Sequence, residues 1–280
     1  MSRKLLVTIS EDASFLHGVR FVCHFFVPAA DLQLDVVLMP PTTSPQVLND
    51  PMLQETVQLS EKMFRDKGFQ VGVPDAAVVS TPCLSMVDLA RMAALGQYDA
   101  VVLGRRGAVR LVEYLTGQYK EAVFDENLDF PFWVCRTPDL TRDNILLCVD
   151  GSTQGLCAAD HVGFMCQNEQ RHSICVAYLA DPQHRDKRDE DLIIENALKM
   201  LKVNNISESR IFVKVLAEQD HVQGIMREAE QGRFAVVAVG RAGTGRGMMT
   251  QRQFGSVCLR LARTLSRANL WVGGYSKTCK

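Results

Sequence analysis

The stretch GQYDAVVLGRRG at residues 96–107 returns as GRFAVVAVGRAG at residues 232–243, 136 positions later, and this recurrence decides how the chain is built. In each copy an apolar run rich in valine precedes glycines, the pattern of a strand buried on both faces of a parallel sheet and followed by a turn. Further matches flank it: KLLVTIS at 4–10 aligns with NILLCVD at 144–150, and FWVCR at 132–136 with LWVGG at 270–274. The offset stays between 136 and 140, so one whole domain has been duplicated; the period is far too long for a solenoid.

Within each half the coarse pattern is βαβαβαβαβ. In the second half strands are expected at 145–149, 174–179, 211–216, 234–239 and 270–272, with helices near 153–166, 189–202, 221–231 and 256–268. In the first half strands are expected at 5–9, 34–39, 76–79, 100–103 and 132–135. Such alternation implies a parallel sheet covered on both faces, with right-handed crossovers. The join RTPDLTRDN at 136–144 has proline, polar residues and no apolar periodicity, and reads as a linker. Trp133 and Trp271, the two tryptophans, occupy equivalent places in the last strand of each half. Their roles are either strand packing or the pairing of two sheet edges into an internal pseudo-dimer.

At 280 residues the chain has room for two domains of ordinary size, and 47% hydrophobic with 22% charged residues is a globular balance. A net charge of −1 speaks against a dedicated nucleic-acid binder. The first half is acidic and the second basic, which suits an anionic ligand in the second or simply a solvated basic face. No apolar run reaches the length of a membrane span and the N-terminus lacks signal-peptide character, so a cytoplasmic protein is expected. Nine cysteines show no C-x-x-C and no zinc spacing; Cys148 and Cys175 fall in strands, where a thiol serves as a small buried hydrophobe.

The loop after Phe234–Val239 concentrates glycine: Gly240, Gly243, Gly245 and Gly247, then Gly255. Val257, Leu261 and Leu265 follow at four-residue spacing, an amphipathic helix with Ser256 at its start. The unpaired N–H groups and the dipole of such a start favour an anion, and glycines let a backbone approach a phosphate. Two known fingerprints fail here. No Gly-Lys pair completes a Walker A loop, and Met248 stands where G-x-G-x-x-G needs its third glycine. His17, His24, His161 and His172 are not placed beside a nucleophile with an orienting acid, so no catalytic triad is readable. His17-Gly18 lacks the rest of an adenylyltransferase signature, and VDGSTQG is not a pyrophosphatase loop. The acidic run RDEDLIIE at 188–195 reads as a helix N-terminus complementing the dipole.

The pattern G-x2-G-x9-G with a following Ser or Thr, placed after the fourth strand, and Asp-Gly-Ser closing the first strand, resembles the universal stress protein family. Gly104, Gly107 and Gly117 show that spacing in the first half. The resemblance covers both halves and points to the tandem, two-domain type. It implies an α/β fold of two tandem Rossmann-like (HUP-class) domains, 1–139 and 140–280. Each would be a five-stranded parallel sheet with helices on both faces and strand order 3-2-1-4-5, the pair forming an internal pseudo-dimer. In nucleotide-binding members the Asp ending strand 1 and its backbone hold adenine and ribose, a residue ending strand 2 lines the base, and the glycine loop with its hydroxyl residue holds ribose and phosphates. Carried onto the second half, these are Val149, Asp150 and Leu179 on the base side, and Gly240, Gly243, Gly255, Ser256 and Val257 on the phosphate side. The ligand implied is ATP or AMP, with Mg2+ an admissible companion.

Both halves depart from the pattern. Gly243 to Gly255 encloses eleven residues instead of nine, and in the first half Ser10 replaces the aspartate and Gln118 the hydroxyl residue. One nucleotide per chain, held by the second half, is therefore expected, with a degenerate first site. Asp150 has the plainer alternative of capping the helix that begins at Gly151 to Thr153. Arg241, Arg246 and Arg252 are either phosphate clamps or solvated loop charges. Two functions follow: a nucleotide-sensing regulator of stress responses read by a protein partner of unknown identity, or a nucleotide-free interaction scaffold of the same fold. Neither is an enzyme, a weak ATPase ranking behind both; no nucleic acid or membrane is expected as a partner, and a homodimer is compatible with either.

Overall fold

A computed structural model describes residues 2–10, 12–29, 31–39, 51–72, 85–116, 130–180, 187–242 and 254–274. The chain divides into two compact units, Met1–Thr137 and Pro138–Lys280. In the first, β1 (Arg3–Ile9), β2 (Leu32–Leu38), β3 (Gln70–Gly72), β4 (Ala100–Leu103) and β5 (Phe132–Val134) lie in the order β3-β2-β1-β4-β5, every pair parallel. Its helices are α1 (His17–Phe25), α2 (Pro51–Asp66), α3 (Met86–Leu95) and α4 (Arg105–Leu115). The second unit repeats the plan with β6 (Asp143–Val149), β7 (Ile174–Ala180), β8 (Ile211–Ala217), β9 (Phe234–Val239) and β10 (Asn269–Val272), ordered β8-β7-β6-β9-β10 and again parallel. Its helices are α5 (Thr153–Cys166), α6 (Lys187–Val203), α7 (His221–Gln231) and α8 (Ser256–Thr264).

The order within each unit is the one the resemblance implied, and with right-handed crossovers it fixes the faces on which the helices lie. Right-handed connections from β6 to β7 to β8 put α5 and α6 on one face, and the return through β9 to β10 puts α7 and α8 on the other. The contacts agree: α5 packs on α6 and α7 on α8. Sandwiched strands must be apolar throughout, and all six residues of β9 are buried. The third strand of the first unit lies at Gln70–Gly72, ahead of the expected 76–79, which are outside the described residues. Asp143 and Asn144, read as linker, open β6, and the neighbouring Arg142 is buried, donating to the Ala229 carbonyl.

Local chemistry sets the helix starts. Ser85 and Asp88 form a reciprocal capping box on α3, and Ser152 accepts from the Gly155 amide at 3.0 Å to cap α5. Asp189 and Glu190 occupy the first turn of α6, as the acidic run suggested. Trp133 and Trp271 are both fully buried. Trp133 stacks on Phe26 with ring centroids 5.7 Å apart, and Trp271 meets the His161 ring edge-on at 6.1 Å. Cys148 and Cys175 are buried free thiols.

His161 couples this packing to pH. Burial pushes its imidazole from the ordinary 6.5 down to about 4, with Asp160 opposing the shift. Between those values the unfolded chain takes up a proton that the folded second unit refuses, so stability is full above the unfolded value and declines as pH falls toward the folded one. The second unit is expected to lose about 2 kcal/mol between about pH 6.5 and pH 5. Urea unfolding followed by Trp271 fluorescence in a Trp133→Phe background measures this loss, and His161→Gln should remove most of the slope.

Candidate functional site

In an open parallel sheet, ligands enter at the carboxyl ends of the strands where the strand order reverses. In the second unit that point lies between β6 and β9, which pair with Leu147 opposite Ala238. Asp150 leaves β6 there, and Gly240 leaves β9. Val149 lies opposite Tyr178 on β7, which brings the end of Leu179's strand beside Asp150. The structure thus brings Val149, Asp150, Leu179 and Gly240 to one end of three adjacent strands. Val149 is buried, so it can meet a ligand through its backbone alone, whereas Asp150 and Leu179 are partly exposed.

The Asp150 carboxylate is half committed. Its Oδ1 accepts from the Ser152 amide at 3.0 Å and from the Ser152 hydroxyl at 2.6 Å. Ser152, not Asp150, is the N-cap of α5, so the capping alternative holds only at one remove: Asp150 orients the residue that caps. Its Oδ2 takes no part in those bonds and, among the described residues, is left for a hydroxyl or amine donor. The turn between the two needs glycine. Gly151 has φ +83°, and a Cβ there would lie 2.8 Å from the Ile193 side chain.

Gly240, where the chain leaves β9, lies in backbone contact with the first turn of α5. A Cβ on Gly240 would fall 2.7 Å from the Gln154 carbonyl carbon and the Gly155 nitrogen. The first glycine of the motif therefore serves the approach of β9 to α5, where the sequence suggested approach to a phosphate. Ser152 Oγ also lies 3.4 Å from the Ala242 carbonyl oxygen. Gly243, Arg246 and Arg252 are outside the described residues. The loop returns at Gly255, whose amide donates to the Arg241 carbonyl at 2.8 Å. Arg241 is no solvated charge: it is 4% exposed, with its guanidinium 4.7 Å from the Phe254 ring centroid.

Gly255 precedes α8 and, as a glycine, supplies no side-chain cap to the first amides of that helix. Ser256 is exposed and Val257 partly so; the buried face of α8 is Cys258, Leu261 and Ala262. Ser256 and Val257 line an open cleft of about 390 Å³ with Gln219, Asp220, His221, Val222 and Arg260. The predicted residues thus fall into two groups, the strand ends with Asp150 and this cleft, joined through the Arg241–Gly255 hydrogen bond. Ser152, Asp220 and Arg260 were not singled out from the sequence. Ser152 was legible in Asp-Gly-Ser, but nothing in the sequence brings Asp220 beside Arg260.

The same point in the first unit is built differently. Thr8, aligned with Cys148, is buried between β1 and β4, accepting from the Gly104 amide at 3.1 Å and donating to the Val102 carbonyl at 3.1 Å. The amide that opens the first glycine motif is thereby occupied by a side chain of its own unit. Helix α4 then begins at Arg105, so Gly107 lies inside a helix, packed near Thr8 and Leu103. Gly117 and Gln118 are outside the described residues. Among the described residues no group of His, Cys, Asp and Glu is arranged to hold a metal ion, and no helix is long and apolar enough to cross a membrane.

The chain matches no protein-family model and no curated protein. Among solved structures, a universal stress protein from Archaeoglobus fulgidus DSM 4304 aligns over 99% of this chain and 98% of its own at 14% identity, with a TM-score of 0.59. A protein of unknown function from Pseudomonas aeruginosa PAO1 aligns over 97% of this chain and 92% of its own at 15% identity (TM-score 0.49). A universal stress protein solved in complex with cAMP covers 48% of this chain and 98% of its own at 19% identity (TM-score 0.38). The Archaeoglobus match spans both units, and the fold is that of the universal stress proteins in two-domain form.

Gly240→Ala tests whether the loop is anchored by backbone contact. Its Cβ meets backbone that cannot rotate away, so the second unit should lose about 1–3 kcal/mol. Gly104→Ala, whose Cβ finds the Thr8 carbonyl oxygen at 3.2 Å, should cost the first unit less. Urea unfolding, with each unit followed by its own tryptophan, compares the two.

Proposed function

We propose that the second unit binds an adenine nucleotide, ATP or AMP, and that the protein is a non-enzymatic regulator of stress responses, working in the cytoplasm through a protein partner. The observation that carries this is a carboxylate with one oxygen uncommitted at the reversal of strand order, in the same unit as a helix start that has no side-chain cap. Asp150 Oδ2 would take the ribose hydroxyls, with Val149 backbone and Leu179 beside the base. The amides at Gly255, Ser256 and Val257 would meet phosphate, Gly240 and Gly243 shaping the loop between, and Mg2+ would screen a triphosphate without a dedicated set of protein ligands. The first unit, with Ser10 in place of the aspartate and Thr8 on the Gly104 amide, is assigned no nucleotide. A second reading, a nucleotide-free interaction scaffold, is favoured by the commitment of Asp150 Oδ1 to Ser152.

Calorimetric titration of the intact protein with ATP and with AMP separates the two. The expected result is one nucleotide per chain for at least one of them. Asp150→Asn keeps an oxygen for Ser152 but loses the charge, and should weaken binding about tenfold, the worth of one hydrogen bond to a charged group. Unchanged affinity in Asp150→Asn would remove Asp150 from the site, and no heat with either nucleotide would leave the scaffold.

A further inference from the structure

The cleft beside Ser256 holds an ion pair that nucleotide binding as described above leaves unexplained. Arg260 lies four residues beyond Ser256 on α8, so both project from one helical face, and both line the cleft. Its guanidinium grips Asp220 with both ends, Nη1 to Oδ1 at 3.1 Å and Nη2 to Oδ2 at 2.9 Å. Asp220 is also the N-cap of α7, its Oδ1 accepting from the Val222 and Gln223 amides at 3.0 and 3.3 Å. The pair therefore bridges the starts of two neighbouring helices.

We propose that Arg260 is the cation that recognises the phosphates of the bound nucleotide, and that phosphate takes it from Asp220, opening the bridge between α7 and α8. The inference rests on the nucleotide reading of the second unit and adds to it a phosphate-length preference and a surface that changes on binding. Three features support the exchange. The planar fork that holds a carboxylate bidentately holds a phosphate in the same geometry. The bridge is half exposed, 49% for the Arg260 side chain and 43% for that of Asp220, so water already competes for it and little is lost when it opens. Asp220 keeps its two amide donors and the positive end of α7 when the guanidinium leaves, so no charge is stranded. Arg241, the other described arginine of the loop region, is buried against Phe254 and does not line the cleft.

The test is calorimetric titration of the full-length protein with ATP, AMP and adenosine, in the wild type, Arg260→Gln and Asp220→Asn. Arg260→Gln should weaken ATP at least about tenfold and AMP less, with adenosine unchanged. Asp220→Asn, which retains a capping oxygen but frees the arginine, should tighten ATP by about two- to fivefold. Melting temperatures check that each variant folds, and Asp220→Asn carries the test by itself if Arg260→Gln is destabilised. Wild-type protein that binds none of the three ligands would overturn both this proposal and the nucleotide reading. Wild-type binding of ATP with the same affinities in both variants, or an equal loss for adenosine and ATP in Arg260→Gln, would overturn the role of Arg260 alone and leave it as a strap between helices.

Discussion

Backbone-to-backbone contact with the first turns of α5 fixes where the ends of β9 and β10 lie in the second unit. Gly240 brings the end of β9 against Gln154 and Gly155, and Gly273 brings the end of β10 within 2.9 Å, measured from where a Cβ would stand, of the Ala158 backbone. Both are sites where any side chain would force strand and helix apart. Because α5 starts at the Asp150–Gly151–Ser152 turn, this approach sets Asp150 at the reversal of strand order and Gly240 close to it. The loop's departure and the carboxylate's position are thus one constraint.

The duplicated halves differ at the same point of the sheet by very few side chains. A hydroxyl at Thr8 spans Gly104 and Val102, whereas the aligned Cys148 presents a thiol whose pKa burial pushes far up, leaving a neutral small hydrophobe. Ser10 against Asp150 then removes the charge. The fold tolerates both versions because the sheet and its helices depend on apolar burial elsewhere. The switch point therefore carries an internal hydroxyl-to-amide bond in one unit and a carboxylate in the other.

Much of the architecture was legible in the chain. The repeated VVLGRRG and VVAVGRAG runs marked β4 and β9, and the period of apolar residues located α5, α7 and the start of α8 within a residue or two. The third strand of the first unit shows the limit, since the three described residues of β3, Gln70–Gly72, leave almost no alternation to read. The positions of Asp150 after a strand and Ser256 at a helix start were legible because a motif named them. The role of Gly240 was not, because a glycine needed for packing on a helix and one needed for a phosphate look alike in sequence. The Asp220–Arg260 bridge joins residues forty positions apart on two helices and is a product of tertiary packing. Thr8 was invisible for the opposite reason: a threonine in a strand is an ordinary β-former until the neighbouring strand places an amide over it.

The central claim is that the carboxyl end of the second sheet accepts an adenine nucleotide while that of the first is closed by its own threonine. The most direct measurement is an amide-resolved NMR titration of the intact protein with AMP. The account predicts saturable shifts at Asp150, Gly240, Gly255 and Ser256, with Thr8, Ser10 and Gly104 unmoved. Shifts centred on Thr8 and Gly104, or no saturable shift in either unit, would contradict it.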